Sequence, residues 1–278
     1  MSEIKLLVFD IDGTLINGAG KVSANVKRAL SEVAKSGVNI ALASGRPWFA
    51  AEKLVEELNV GAASVFYGGA LLVNPQTGVV FCERHINSVD ISGVLAEVAR
   101  RDLYCELYTA NDYYVEALTP MSKIHSEYLG RLPKVMSFSQ LLLSQEILKL
   151  VIVIDRVDCY LVDELSLALP NITFATAYGA AHSELAFVNI TGASVDKKAT
   201  FQRMLDIEGC HADQVIAFGD AESDREFIGL AGTGVAMGNA CASIKSVADF
   251  ITRDVEADGV AYAIQQLLPQ FSHLHVEN

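Results

Sequence analysis

The feature that most constrains the fold is a short apolar run near the start of the chain that ends in two aspartates. The run is Leu6–Phe9, and Asp10, Asp12 and Gly13 follow it. Consecutive apolar residues that end at a turn are typical of a strand buried on both faces, as in the middle of a parallel sheet. Ligands of open α/β sheets bind outside the carboxyl ends of the strands. The sequence therefore predicts two carboxylates at such an end, although a bare Asp-x-Asp also fits a turn that only satisfies local amides.

The segments on either side of a central stretch alternate between strand-like and helix-like patterns. Further strands are predicted at residues 38–43, 63–67, 214–218 and 233–237. Helices are predicted from the spacing of apolar residues at 22–36, 49–58, 196–205 and 223–230. Alternation of this kind is typical of a parallel sheet with right-handed crossovers. We therefore predict an α/β protein with a Rossmann-like core domain.

The central stretch has a different rhythm. Short strand-like pieces alternate there with helical segments, and seven of the nine tyrosines lie between Tyr104 and Tyr178. This mixture is typical of an α+β domain. We predict that residues 82–187 form an inserted domain and that residues 1–81 and 188–278 form the core domain. The tail after residue 270 is predicted to fray.

Composition limits the classes of partner. The net charge of −13 disfavours nucleic acid and anionic membranes, because both are bound through clustered Lys and Arg. The five cysteines are scattered and odd in number, which favours reduced thiols and a cytoplasmic location. No signal peptide or membrane span is predicted. An anionic substrate would need a local positive site, supplied by a metal, a lysine or helix N-termini. The expected state is a monomer or weak homo-oligomer.

Further polar groups follow predicted strands or begin predicted helices. They are Ser44, Gly45, Lys197, Asp220, Ser223 and Asp224. Taken singly, each also fits an ordinary role: a Ser-Gly turn, a solvated lysine, or acids that cap a helix. Gathered at one edge of a sheet, they would support phosphoryl transfer, in which a carboxylate attacks phosphorus and water hydrolyses the aspartyl-phosphate. Mg²⁺ held by carboxylates, together with one lysine, would offset the repulsion between phosphate and an acidic nucleophile.

These motifs together resemble those of the haloacid dehalogenase-like superfamily, and within it the Cof-type phosphatases with a type-2 cap. The four main matches, in chain order, are residues 10–15, Ser44-Gly45-Arg46, Lys197, and Gly219-Asp220 with Asp224. Residues 234–240 and 258–261 also resemble this branch. Ser223 stands where the family usually has Asn, Lys198 where Gly is frequent, and Gly68 where Asn is common.

The resemblance implies a role for each matched residue. Asp10 would be the nucleophile and a Mg²⁺ ligand. Asp12 would protonate the leaving group and then activate water, while its backbone carbonyl binds the metal. Lys197 would orient the phosphate, Asp220 would be the second carboxylate ligand, and Asp224 would support it. The implied substrate-binding residues are Ile11, Thr14, Ser44, Gly45, Arg46 and Ser223.

We therefore predict a Mg²⁺-dependent phosphatase that hydrolyses a small phosphorylated metabolite, with the inserted domain as a cap that selects the leaving group. His125, His182 and Glu184 are candidate cap contacts, although surface or core positions suit them better. A phosphosugar mutase is one alternative, but the insert lacks a tight basic cluster. A non-catalytic phosphate-binding module is another, which Ser223 leaves open and the retained Asp10 and Asp12 disfavour.

Overall fold

The computed structural model of the chain describes residues 3–178 and 182–273. Its strands are β1 (Leu6–Phe9), β2 (Asn39–Leu42), β3 (Ser64–Phe66), β4 (Leu71–Val73), β5 (Val80–Glu83), β6 (Tyr104–Tyr108), β7 (Tyr113–Val115), β8 (Lys134–Val135), β9 (Lys149–Asp155), β10 (Ile172–Tyr178), β11 (Leu185–Gly192), β12 (Val215–Gly219), β13 (Thr233–Ala236) and β14 (Phe250–Ile251). Its helices are α1 (Ala24–Lys35), α2 (Glu52–Leu58), α3 (Ser88–Arg101), α4 (Pro120–Leu129), α5 (Phe138–Leu141), α6 (Tyr160–Ala168), α7 (Lys197–Glu208), α8 (Arg225–Leu230), α9 (Ala242–Lys245) and α10 (Gly259–Leu267). Among these helices none has the length and apolar character needed to cross a bilayer.

The first of two compact units is built on a parallel sheet. Of the described residues, it comprises 3–45, 52–82 and 196–273. The strand order is β14-β13-β12-β1-β2, and every neighbouring pair is parallel. β1 lies inside this sheet and all four of its residues are buried, as its apolar sequence predicts. The α/β fold class with a parallel-sheet core is therefore confirmed.

The third strand of the predicted parallel series keeps a parallel contact with β2 and also has an antiparallel partner that was not predicted. β3 runs antiparallel to β4 in a separate sheet with the order β3-β4-β5. A parallel bridge between Ala43 and Val65 and the hydrogen bond from the Ser44 N–H to the Val65 carbonyl, at 2.9 Å, also join β3 to the end of β2. The tight turn at Tyr67–Gly69 reverses the chain at once, so β3 pairs in addition with the strand that follows it.

The second compact unit is an α+β structure that comprises, of the described residues, 46–51, 83–178 and 182–195. Its sheet has the order β10-β11-β9-β6-β7-β8 and is antiparallel except for the β7–β8 pair. Apolar side chains from α3 and from one face of the sheet form its core, including Val94, Leu107 and Ile152. The strand β11 continues past residue 187, the predicted end of the insert. The assignment of these parts as core and cap domains stays a prediction.

Two helix ends also differ from expectation. The helix predicted at 223–230 begins instead with a 3₁₀ turn, Glu222–Asp224, and α8 follows it. Phe271, expected in a frayed tail, is buried in the turn Pro269–Phe271. Residues 274–278 of that predicted tail lie outside the described residues.

Candidate active site

The carboxyl ends of β1 and β12 bring three acids together. Phe9 and Phe218 are register partners with stacked rings 4.5 Å apart, and the Asp10 N–H donates to the Phe218 carbonyl at 3.0 Å. Ligand oxygens of Asp10, Asp220 and Asp224 all lie within 4.8 Å of one another. Asp10 and Asp220, 210 positions apart in the chain, thus share one site because β1 and β12 are parallel neighbours.

The loop after β1 holds Asp10 and Asp12 in a closed turn. The amides of Leu15 and Ile16 both donate to the Ile11 carbonyl, at 3.0 and 2.9 Å. Gly13 has a φ of +83°, which favours glycine. A Cβ on Gly13 would also overlap the Asp220 carboxylate. Glycine is therefore required both by the backbone conformation and by the close approach of the second loop.

Hydrogen bonds fix the two acids of the β12 loop. The Asp224 Oδ2 accepts the backbone N–H groups of Asp220 and Ala221, at 3.0 and 2.9 Å. The Thr14 hydroxyl donates to Asp220 Oδ1 at 3.2 Å. Asp224 therefore orients the loop that carries Asp220, and Thr14 orients Asp220 itself.

The raised pKa values of the three acids indicate that the cluster lacks a balancing positive charge. Burial, and then the charges of Asp224, Asp12 and Asp220, raise the pKa of Asp10 well above its usual range. Burial and the Asp224 charge raise the pKa of Asp220 to about 7, although bonds from Thr14 and Asn239 lower it. Burial also raises the pKa of Asp224, against the lowering effect of its hydrogen bonds. Two buried carboxylates and a half-buried one that resist ionisation together are suited to a bound cation.

Lys197 and Ser223 meet beside this cluster. Lys197 is the first residue of α7, and its ammonium donates to the Ser223 carbonyl at 2.7 Å. The Ser223 hydroxyl donates to Asp224 Oδ1 at 3.1 Å. The departure from Asn at position 223 therefore gives a side chain that supports Asp224.

The remaining predicted contacts fall in different places. Ser44 is buried and lies just after β2. The last residue of β2, Leu42, is the register partner of Phe9, so Ser44 follows the strand end beside that of β1. Ile11 has a fully buried side chain, so only its backbone, which hydrogen-bonds the Asp10 carboxylate, is available at the site. Gly45 is exposed. Arg46 belongs to the second unit, where its guanidinium lies 4.6 Å from the centre of the Tyr128 ring. The substrate-binding roles of these residues stay predictions.

Sequence reasoning gave no role to Asn239, which the structure places at the acid cluster. Its amide nitrogen donates to the Gly13 carbonyl at 2.8 Å and lies 3.4 Å from Asp220 Oδ2. Asn239 lies inside the segment 234–240, one of the segments that resemble the family. That position could have indicated a role at the site.

The sequence model of the haloacid dehalogenase-like hydrolase family matches residues 7–264, which is most of the chain. The chain belongs to this family. The predicted Cof-type resemblance and the prediction of a hydrolytic enzyme are confirmed.

Solved structures and curated sequences agree with this assignment. A haloacid dehalogenase-like hydrolase from Bacteroides thetaiotaomicron is 28% identical with a TM-score of 0.84, covering 96% of this chain and 100% of that one. BT1666 of the same organism, described among phosphatases of the superfamily, is 25% identical with a TM-score of 0.79 and 95% coverage of both chains. YwtE of Bacillus subtilis, named a 5-amino-6-(5-phospho-D-ribitylamino)uracil phosphatase, is 23% identical, covering 95% of this chain and 98% of that protein.

The acid cluster of this haloacid dehalogenase-like hydrolase fits a divalent metal ion. Hard divalent cations prefer carboxylate and carbonyl oxygens. Asp10 and Asp220 would offer carboxylate oxygens to the ion, and Asp224 is the third acid whose carboxylate lies close to both. Members of the family generally use such an ion.

We expect the metal-free protein to lose stability between about pH 5 and about pH 8, with its unfolding temperature falling by about 5 °C from this cluster. The folded-state pKa of Asp220 is raised to about 7, so its stabilising protonated state is lost as pH rises through that value. A divalent cation should restore the unfolding temperature at the higher pH and have little effect at the lower one. Scanning fluorimetry in EDTA, with and without added Mg²⁺, measures this. Equal effects of Mg²⁺ at both pH values, or of Na⁺ at matched ionic strength, would contradict it.

Proposed function

We propose that this hydrolase is a Mg²⁺-dependent phosphatase that acts on a small phosphorylated metabolite through an aspartyl-phosphate on Asp10. The observation that carries the proposal is the grouping of Asp10 with Asp220 and Asp224 at the carboxyl end of the parallel sheet. Relatives named as phosphatases support the reaction class. Carboxylates are the ligand type that Mg²⁺ takes in proteins.

The proposed reaction has two displacements at phosphorus. An Asp10 carboxylate oxygen attacks the phosphoryl group, and Asp12 gives a proton to the departing oxygen of the metabolite. Asp12 then takes a proton from water, which attacks the aspartyl-phosphate and releases phosphate and the Asp10 carboxylate. The cation, when bound, neutralises charge on the phosphoryl oxygens and on the acid cluster.

Other residues of the first unit would hold the phosphoryl group. Lys197 is anchored to the Ser223 carbonyl, which directs its ammonium towards the loop that carries Asp220. Ser44 follows the strand next to β1, and its backbone N–H already donates to the Val65 carbonyl at 2.9 Å. The groups proposed to hold a phosphate oxygen are therefore the Ser44 hydroxyl and the Gly45 N–H. Thr14 acts on Asp220 rather than on substrate in this proposal, because its hydroxyl already donates to that carboxylate.

The proposed substrate is a phosphomonoester such as a sugar phosphate. The name of the relative YwtE contains a phosphorylated ribityl compound. Like a sugar phosphate, that compound is a polyol phosphate. The protein's charge of −13 means that an anionic substrate depends on Lys197 and the cation for attraction.

We expect phosphate release from at least one compound in a panel of sugar phosphates, nucleotides, cofactor phosphates and an aryl phosphate. Release should require Mg²⁺ and stop in EDTA, since the acid cluster repels a phosphate without a cation. The ranking of the panel identifies the leaving group. An Asp10→Asn preparation, purified in parallel, reports any contaminating phosphatase. Absence of release from a folded protein that binds Mg²⁺ would contradict the proposal, and formation of sugar bisphosphates would favour a mutase.

A further inference from the structure

The amide of Asn239 connects three separate segments of the first unit. Its nitrogen donates to the Gly13 carbonyl at 2.8 Å, in the loop after β1. The same nitrogen lies 3.4 Å from Asp220 Oδ2, in the loop after β12. Its oxygen accepts the Val255 N–H at 3.0 Å. One side chain thus contacts the loops that carry two of the proposed metal-binding acids and a third segment behind them.

The orientation of this amide follows from its partners. A backbone N–H can only donate, so the atom facing Val255 is the oxygen. The Gly13 carbonyl can only accept, so the atom facing it is the nitrogen. With both ends fixed, the second amide hydrogen is left on the side of the Asp220 carboxylate.

The turn that presents Asn239 is itself held firmly. The Gly238 N–H donates to the Arg253 carbonyl at 2.9 Å, and the Lys245 ammonium donates to the Gly238 carbonyl at 2.6 Å. A side chain on Gly238 would overlap the backbone of Arg253 and Asp254. Asn239 therefore projects from a packed base, although the residue is exposed.

We propose that Asn239 is a positioning residue for the divalent cation. It sets the distance between the Asp220 carboxylate and the Gly13 carbonyl. The Asp12 carbonyl lies one residue before the Gly13 carbonyl in the same loop. Both Asp220 and the Asp12 carbonyl are proposed oxygen ligands, and a small cation tolerates little variation in their separation. Residues that hydrogen-bond to metal ligands typically contribute 10- to 100-fold to metal affinity, as an order of magnitude. This inference rests on the metal requirement in the proposed function.

The test compares Asn239→Ala with Asn25→Ala, a matched control. Asn25 also donates to a carboxylate, Asp258 Oδ2 at 2.6 Å, and accepts from a neighbour, Arg28. The metal-free proteins are titrated with Mg²⁺ by calorimetry, and the Mg²⁺ concentration for half-maximal phosphate release is measured separately. We expect Asn239→Ala to weaken Mg²⁺ binding roughly 10-fold or more while kcat at saturating Mg²⁺ changes less than about threefold. Asn25→Ala should bind Mg²⁺ like the wild type.

The outcomes separate this inference from the proposed function. Wild-type Mg²⁺ affinity in Asn239→Ala, with or without a lower unfolding temperature, means a merely structural residue and overturns the inference alone. A wild-type protein that binds no Mg²⁺ in the calorimeter overturns both. Should the alanine variant fail to fold, Asn239→Ser keeps a short polar group for Val255, and the same weakening of Mg²⁺ binding is expected of it.

Discussion

Replacing Asp10 with Asn is expected to lower phosphate release by roughly 10⁴-fold or more. An amide oxygen is a poor nucleophile, and the substitution keeps the size of the side chain and the strand that carries it. The loss should appear in kcat and persist at saturating Mg²⁺. Asp206→Asn, an exposed aspartate on α7, is the matched control and should retain wild-type activity. Residual metal-dependent activity above about one hundredth of wild type in Asp10→Asn would contradict the nucleophile assignment.

The same substitution should make the metal-free protein more stable. Burial and the charges of Asp224, Asp12 and Asp220 raise the pKa of Asp10, so its ionised form opposes folding. The stability linked to its protonated state is lost as pH rises through the raised folded-state pKa. In EDTA at about pH 8 we expect Asp10→Asn to unfold about 3 °C or more above the wild type, and the gap should narrow at about pH 5. A lower unfolding temperature at the higher pH would contradict this account of the cluster.

The acid cluster was predictable from sequence because one rule of parallel sheets applies to it. Asp10 and Asp220 each follow an apolar run, and parallel strands end at a common edge. The sequence alone does not order the strands, so it could not say that β12 is the neighbour of β1. Nor did the order of motifs point to a contact between Asn239 and Gly13, because the two residues lie 226 positions apart in the sequence.

Two features of the second unit were not predicted. The strand β11 was missed although Ala186, Val188 and Ile190 alternate towards the core. The buried Glu106 was also missed, because periodicity treats a charged residue within a strand as exposed. Its burial depends on partners elsewhere, including His125 on α4. The suggestion that His125 suits a core position agrees with its burial.

Glu106 lies in a buried polar cluster of the second unit, and its side chain has no exposed surface. It accepts hydrogen bonds from the Tyr104 hydroxyl at 2.5 Å, from the Tyr108 hydroxyl, and from His125 Nδ1 at 2.7 Å. Lys149 is buried too, and its ammonium lies 5.2 Å from the centre of the Tyr108 ring. Burial lowers the pKa of Lys149 to about 8, while the Glu106 charge raises it.

We expect Glu106→Leu to destabilise the protein by about 3–5 kcal/mol, because it removes the charge facing Lys149 and leaves buried donors without an acceptor. Glu97→Leu, which removes a more exposed partner of Arg100 and Arg101, should cost less than about 1 kcal/mol. Urea unfolding followed by the fluorescence and circular dichroism of the folded protein measures both.

The double variant Glu106→Leu, Lys149→Met tests the cause. Removing the lysine charge from a site that has lost its carboxylate should recover part of the lost stability, so the two substitutions should not be additive. The pH dependence of stability gives a second test of the cause. Because the folded-state pKa of Lys149 is lowered, the stability linked to its neutral form is present above about pH 10. That stability is lost as pH falls through about 8. Glu106→Leu should therefore gain more stability than the wild type as pH rises across that window, and the double variant should not. Additive losses with parallel pH profiles would show that the cost comes from cavity formation rather than from the buried charge.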